Sequence, residues 1–212
     1  MECINCVDAV LTQSITLKFM DLKKYKHNPP HIFISGAKYF ITGATYNKVK
    51  YFKSNKTKEA IKKHMLKSFS HYSWEIEDWV LLDNHYHVLA NAPKSAVSLQ
   101  NVIKNFHRFS ALWIRKNIKN INCVDAALTQ SMHSKNKLKI WYNYWDTCIT
   151  FERSYFARLN YIWYNPVKHG YVENAEDWQF GSYISRIKND FQYINEIRKT
   201  YPFDKINIED NY

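Results

Sequence analysis

The sequence predicts an α+β fold built on one antiparallel sheet, with helices on one face and one further helix, and three observations carry that expectation. Strand-like and helix-periodic stretches follow one another as strand, helix, strand, strand, helix, strand, helix. Only Asp83 and Asn84 separate the second and third strand-like runs, a connection short enough for a hairpin. The helical stretches carry their apolar residues along one stripe, as helices packed on a sheet do. The first six elements match a split βαβ arrangement.

Each element has its own local reason. Residues 1–20 read as an extension, and KYKHNPPHIF (24–33) as a loop, because Pro29 and Pro30 cannot join a regular ladder. KYFITGATY (38–46) is dense in β-branched and aromatic residues and reads as the first strand. In TKEAIKKHMLKSFSHY (57–72), Ile61, Met65 and Phe69 recur every four residues, while Lys62, Lys63 and Lys67 fall elsewhere around the helix. WEIEDWVLLD (74–83) and HYHVLANA (85–92) are the second and third strands. A second helix over 97–118 has Leu99, Val102, Ile103, Phe106 and Trp113 on its apolar face, with Lys104, Arg108 and Arg115 together on another.

The polar, Lys- and Asn-rich stretch 119–138 reads as an inserted loop, and IWYNYWDTCITF (140–151) as a fourth strand. ERSYFARLNYIWYN (152–165) is a third helix, which Pro166 is expected to stop. The expected plan is an extension over 1–20, one domain over 21–185 with its inserted loop at 119–138, and a tail over 186–212.

The chain has 212 residues, a net charge of +11 and an aromatic share of 17%. Lysine and arginine neutralise phosphates and flat rings stack on unpaired bases, so this composition suits nucleic acid. No apolar run approaches the ~18–20 residues of a membrane span. The N-terminus lacks a basic-then-apolar signal pattern, so the expected location is the cytosol. Cys3, Cys6, Cys123 and Cys148 are too few and too scattered for a disulfide framework. The C-x-x-C of Cys3 and Cys6 has no second pair to complete a zinc ribbon.

His85 and His87 alternate about Tyr86 on the third strand, so both imidazoles point to one face and can reach one metal ion. The same pattern also suits two hydrogen-bonded, partly buried histidines. Tyr161 and Asn165 are four apart and share a helix face. If that face lies over the histidines, Asn165 could add an oxygen ligand and Tyr161 would present its hydroxyl beside the ion. Such a site suits phosphoryl chemistry, in which the ion polarises a phosphate oxygen and the tyrosine attacks phosphorus. Tyrosine is common here, and Tyr155 and Tyr164 lie on the same helix, so periodicity alone leaves a core-packing role open for Tyr161.

NHYHVLA (84–90) resembles the His-hydrophobic-His (HUH) motif of single-tyrosine transposases that act on single-stranded DNA. YIWYNPVKHGYV (161–172) resembles the tyrosine-helix signature of their REP-associated tyrosine transposase branch. HIFISGAKYFITGATY, FHRFSALWI, WYNYWDTCIT, SYFARLNY and DWQFGSY follow the pattern of that branch in order, so that the likeness covers about residues 24–185. The resemblance implies a ferredoxin-like (RRM-like) catalytic fold. It implies Mg2+ or Mn2+ held by His85, His87 and Asn165, with Tyr161 as the nucleophile that forms a 5'-phosphotyrosine intermediate.

The substrates it implies are single-stranded DNAs with palindromic hairpins, handled by a monomer or homodimer at the bacterial nucleoid. Lys104, Arg108, Arg115, Lys168 and His169 are candidate phosphate contacts. A catalytically impaired hairpin DNA- or RNA-binding protein is the other reading. A rolling-circle initiator would share the chemistry but would usually carry a larger partner domain.

INCVDAVLTQS (4–14) recurs as INCVDAALTQS (121–131) with a single difference, Val10 against Ala127. Two lone copies so far apart are not a solenoid. They read as two translated copies of one repeated DNA element placed in a terminus and a loop, where insertions are tolerated best. Met20 is then an expected ancestral start.

Overall fold

A computed structural model describes residues 34–95, 99–117 and 138–202. Both copies of the eleven-residue repeat, the extension 1–20 and nearly all of the segment 119–138 lie outside them. The described chain runs β1 (Lys38–Thr45), α1 (Asn55–His71), β2 (Glu75–Leu81), β3 (His85–Asn91), α2 (Leu99–Asn117), β4 (Trp141–Ile149) and α3 (Glu152–Lys168). Two further helices follow, α4 (Tyr183–Asn189) and α5 (Phe191–Thr200). The four strands form one sheet in the order β2-β3-β1-β4, every pair antiparallel. This is the expected α+β, ferredoxin-like arrangement.

Strand alternation divides the core into two layers. Tyr39, Ile41, Tyr86, Val88 and Ala90 face α1 and α2, where they meet Ile61, Met65 and Phe69 together with Val102, Ile103, Phe106 and Ile114. Phe40, Val80 and Leu89 face the other way, toward Leu159, Ile162 and Trp163 of α3 and toward Ile194 and Ile197 of α5. The tyrosine-bearing helix thus takes the sheet face that α1 and α2 leave bare. Trp113, expected on the apolar face of α2, lies only partly buried at the margin of the core, and Ile114 occupies the interior instead.

Helix α1 begins at Ser54, whose hydroxyl accepts from the Thr57 N–H at 3.2 Å. One of its lysines is not solvated. Lys58 is buried, pairs with Asp83 at 2.7 Å, and holds its ammonium 5.2 Å from the centre of the Trp178 ring. The β2–β3 turn is therefore clamped from α1, two residues before the first histidine.

Helix α3 is held to the sheet by a buried carboxylate. Asp78 on β2 is fully buried and accepts from Trp163 Nε1 at 3.0 Å and Ser182 Oγ at 2.6 Å, while Arg186 grips it through both Nε and a terminal nitrogen. Burial pushes the Asp78 pKa up, and the Ser182, Trp163 and Arg186 donors pull against that shift. A buried acid with this many donors locks geometry, since losing any one leaves a buried oxygen short of a partner.

Pro166 does not end α3, which runs on to Lys168. Proline removes one N–H from the helical ladder. The next turn closes without it, through His169 N–H to Asn165 O at 3.1 Å and Tyr171 N–H to Pro166 O at 2.9 Å. The chain then turns at Gly170, whose φ of 68° is left-handed. Among the described residues no helix is long and apolar enough to cross a membrane.

Candidate active site

The site is built on the α3 side of β3. His87 lies across the β1–β3 ladder from Thr42, and His85 from Ala44. Facing residues on one side of an antiparallel pair touch, and Thr42 Oγ1 meets His87 Nδ1 at 2.8 Å. His85 Nδ1 lies 2.8 Å from Asn84 Oδ1. The other end of that amide is fixed as well, because Asn84 Nδ2 donates to Lys48 O at 3.2 Å. An amide oxygen only accepts, so His85 carries its proton on Nδ1 and its lone pair on Nε2. Each ring thus has its Nδ1 edge held by a neighbour while its Nε2 is buried on the α3 side.

Helix α3 lays the expected residues over these rings. The His85 and His87 ring centres are 5.3 Å apart, and Tyr161 stands edge-on to His87 at 5.2 Å. Phe40 packs beneath, stacked on His87 at 5.4 Å and edge-on to Tyr161 at 6.2 Å. Asn165 is completely buried, reaches the His85 ring, and has no well-aligned hydrogen bond to either amide atom. Because the helix continues past Pro166, Lys168 comes round two turns after Tyr161. Its ammonium donates to the Tyr161 hydroxyl at 3.2 Å and lies 4.6 Å from the ring centre. His169 packs against His85 with ring centres 4.9 Å apart.

Burial decides the protonation of the cluster. It pushes His85 down to about 3, with the positive charges of His169 and Lys168 adding to the shift and the Asn165 contact opposing it. His87 is driven well below the usual imidazole range by burial and then by the neighbouring His85, His169 and Lys168. Both rings are neutral at physiological pH, the form in which imidazole binds a metal.

The remaining candidates lie elsewhere. Lys104 and Arg108 are exposed on α2, across the sheet from Tyr161, with the Arg108 guanidinium 5.6 Å from the Phe109 ring centre. Arg115 spends two donors on the Leu138 carbonyl, at 3.0 and 2.8 Å. Among the described residues no group of three His, Cys, Asp or Glu side chains gathers to hold a metal, and the polar side chain beside the two imidazoles is the Asn165 amide. Sequence reasoning missed Thr42 and the orienting role of Asn84. The place of Thr42 follows only from strand register, whereas Asn84 stands beside His85 in the chain.

With its four-stranded ferredoxin-like sheet, its H-x-H strand and the tyrosine-bearing helix above it, the chain is similar to several known proteins. The family described as "Transposase IS200 like" matches residues 33–131, a span holding both histidines and ending before the tyrosine helix. A Haemophilus influenzae protein provisionally named as a REP-associated tyrosine transposase is 26% identical over 161 residues, 74% of this chain and 85% of that protein. The REP-associated tyrosine transposase of Escherichia coli K12 is 29% identical over 111 residues, 52% of this chain and 54% of that protein. A solved structure of a REP-associated tyrosine transposase bound to a REP hairpin shares the fold, with a TM-score of 0.59, 20% identity, and coverage of 87% of this chain and 94% of that one. The chain is thus similar to IS200-like transposases over its first half, and to REP-associated tyrosine transposases over a longer stretch.

Proposed function

We propose that the chain cleaves and rejoins single-stranded DNA beside palindromic hairpins, using Tyr161 as nucleophile and a divalent ion, Mg2+ or Mn2+, held by His85, His87 and Asn165. The observation that carries this reading is the convergence of two neutral imidazoles, a buried carboxamide and a tyrosine hydroxyl on one face of the sheet. The donor set suits a metal. Asn165 is buried with both amide atoms lacking a well-aligned hydrogen bond, and such a group is costly unless a ligand meets it. Thr42 and Asn84 hold the outer nitrogens of the histidines, as partners of ligating imidazoles do. When bound, the ion supplies Lewis-acid stabilisation of the charge that develops on phosphate oxygen.

The protein's own groups do the rest. The Tyr161 oxygen attacks phosphorus, forming a Tyr–O–P bond as the P–O3' bond breaks, and the phenolic proton leaves to solvent while the departing 3' oxygen gains one. Lys168 donates to the Tyr161 oxygen and so stabilises negative charge there as attack begins. Reversal, with a 3'-hydroxyl attacking the phosphotyrosine, rejoins the strand without an external energy source.

Two other tyrosines of α3 are occupied. Tyr155 donates to Glu77, which raises its pKa further beyond the effect of burial, and Tyr164 lies under the Arg198 guanidinium at 4.7 Å. The test is a denaturing-gel assay for a protein–DNA adduct on hairpin single-stranded DNA with Mg2+ or Mn2+. Tyr161→Phe and chelation should each abolish the adduct. An undiminished adduct in Tyr161→Phe refutes the assignment, and salt-sensitive binding without any adduct identifies a binding protein instead.

A further inference from the structure

We propose that Arg158 is a phosphate-binding residue for the strand that Tyr161 attacks, an inference that rests on the reading of Tyr161 as nucleophile. Arg158, Tyr161, Asn165 and Lys168 are spaced by three, four and three residues, so they form one stripe on α3. At 1.5 Å per residue the stripe is about 15 Å long, with a cation at each end of the nucleophile–amide pair. Lys168 already touches the Tyr161 hydroxyl. At the other end, the Arg158 guanidinium lies 5.7 Å from the centre of the Phe40 ring, which itself packs on His87 and Tyr161.

The state of Arg158 is unusual for an arginine. Its hydrogen bonds come from a single terminal nitrogen and go to Ser154 on its own helix, to the carbonyl at 3.3 Å and to the hydroxyl. Its Nε is buried with no hydrogen-bond partner, and among the described residues it has no ion pair. Burial lowers its pKa with no acid to offset the shift. Guanidinium is a planar fork that pairs two donors with two oxygens of a phosphate or carboxylate. A half-buried fork with an unmet donor, beside a tyrosine placed to attack phosphorus, suits a backbone phosphate. Burial also keeps competing water away, so that the contact is worth more than one made by an exposed lysine.

The experiment measures binding of oligothymidylate to the full chain in EDTA as a function of salt, so that neither metal nor cleavage enters. Arg158→Ala should weaken binding about tenfold, the loss of one charge-assisted contact. It should also reduce the slope of log K against log salt by about 0.7, the value for one phosphate on a single strand. Arg158→Gln should do the same while keeping the aliphatic stem and a polar end, and Arg158→Lys should restore the slope with only part of the affinity. Unchanged affinity and slope in both neutral variants, with melting temperatures like that of the unaltered chain, overturn the proposal. A loss of affinity at unchanged slope also overturns it, because a purely structural role would act that way. The adduct assay on Tyr161→Phe is separate, so failure of the nucleophile assignment is distinguishable from failure at Arg158.

Discussion

Gly43→Ala adds one methyl group and should destabilise this protein sharply. Gly43 stands on β1 directly across from Tyr86, the residue between the two histidines. A Cβ there would lie 2.4 Å from Tyr86 Cε1 and 2.5 Å from both Cζ and the hydroxyl oxygen. Ordinary contact begins near 3.4 Å, so the ring would have to retreat by about 1 Å into a densely packed core. It has nowhere to go. Tyr86 is fully buried, with Phe106 at 5.2 Å and Trp141 at 5.6 Å, and its hydroxyl is bonded to His107 Nε2 at 3.0 Å.

Overpacking costs about 1–3 kcal/mol, and breaking the Tyr86–His107 bond in the interior costs a further ~1–3 kcal/mol. A loss of roughly 2–6 kcal/mol lowers Tm by about 5–20 °C in a domain of this size. Urea unfolding and thermal melts of Gly43→Ala measure it directly. Tyr86→Leu removes the ring, so the double variant should be more stable than the sum of the two single losses predicts, a coupling expected only between touching residues. A Gly43→Ala protein within about 0.5 kcal/mol of the parent, the scale of a neutral surface change, would refute the packing argument.

Two other outcomes follow from the same region. Thr42→Val keeps the shape but leaves His87 Nδ1 buried without its partner; Mn2+ affinity by calorimetry should fall about 10–100-fold, and an unchanged affinity would remove Thr42 from the site. His107 packs flat on Trp141 at 4.2 Å, and burial lowers it to about 3. Its folded pKa lies below the unfolded value near 6.5, so its contribution to stability is complete above that pH and is lost as pH falls toward 3. Each such histidine steepens the decline by about 1.4 kcal/mol per pH unit. Melts between pH 7.5 and 4 should therefore show a gentler decline for His107→Asn than for the parent.

Much of the fold was legible in the chain because strand and helix periods are properties of local backbone geometry. The β-branched run at 38–46, the four-residue rhythm of Ile61, Met65 and Phe69, and the Asp83-Asn84 turn each specify an element without reference to any other. The same local rules put His85 and His87 on one strand face and Tyr161 and Asn165 on one helix face. Pro166 shows the limit of such rules. A local rule ends the helix there, while contacts further along the chain carry it to Lys168 and bring that ammonium to Tyr161.

What the sequence could not decide was which surfaces meet. The face of the sheet taken by α3 depends on Asp78, Trp163, Ser182 and Arg186, which are scattered in the chain and joined only by folding. Thr42 reaches His87 through strand register, and Arg115 is drawn to the Leu138 carbonyl rather than left to solvent. The sequence by itself determined the elements and the chemistry each one carries, because both are set within a few residues. Only the tertiary structure decided that two of those faces meet, because contact between distant segments is selected by the packing of the whole core.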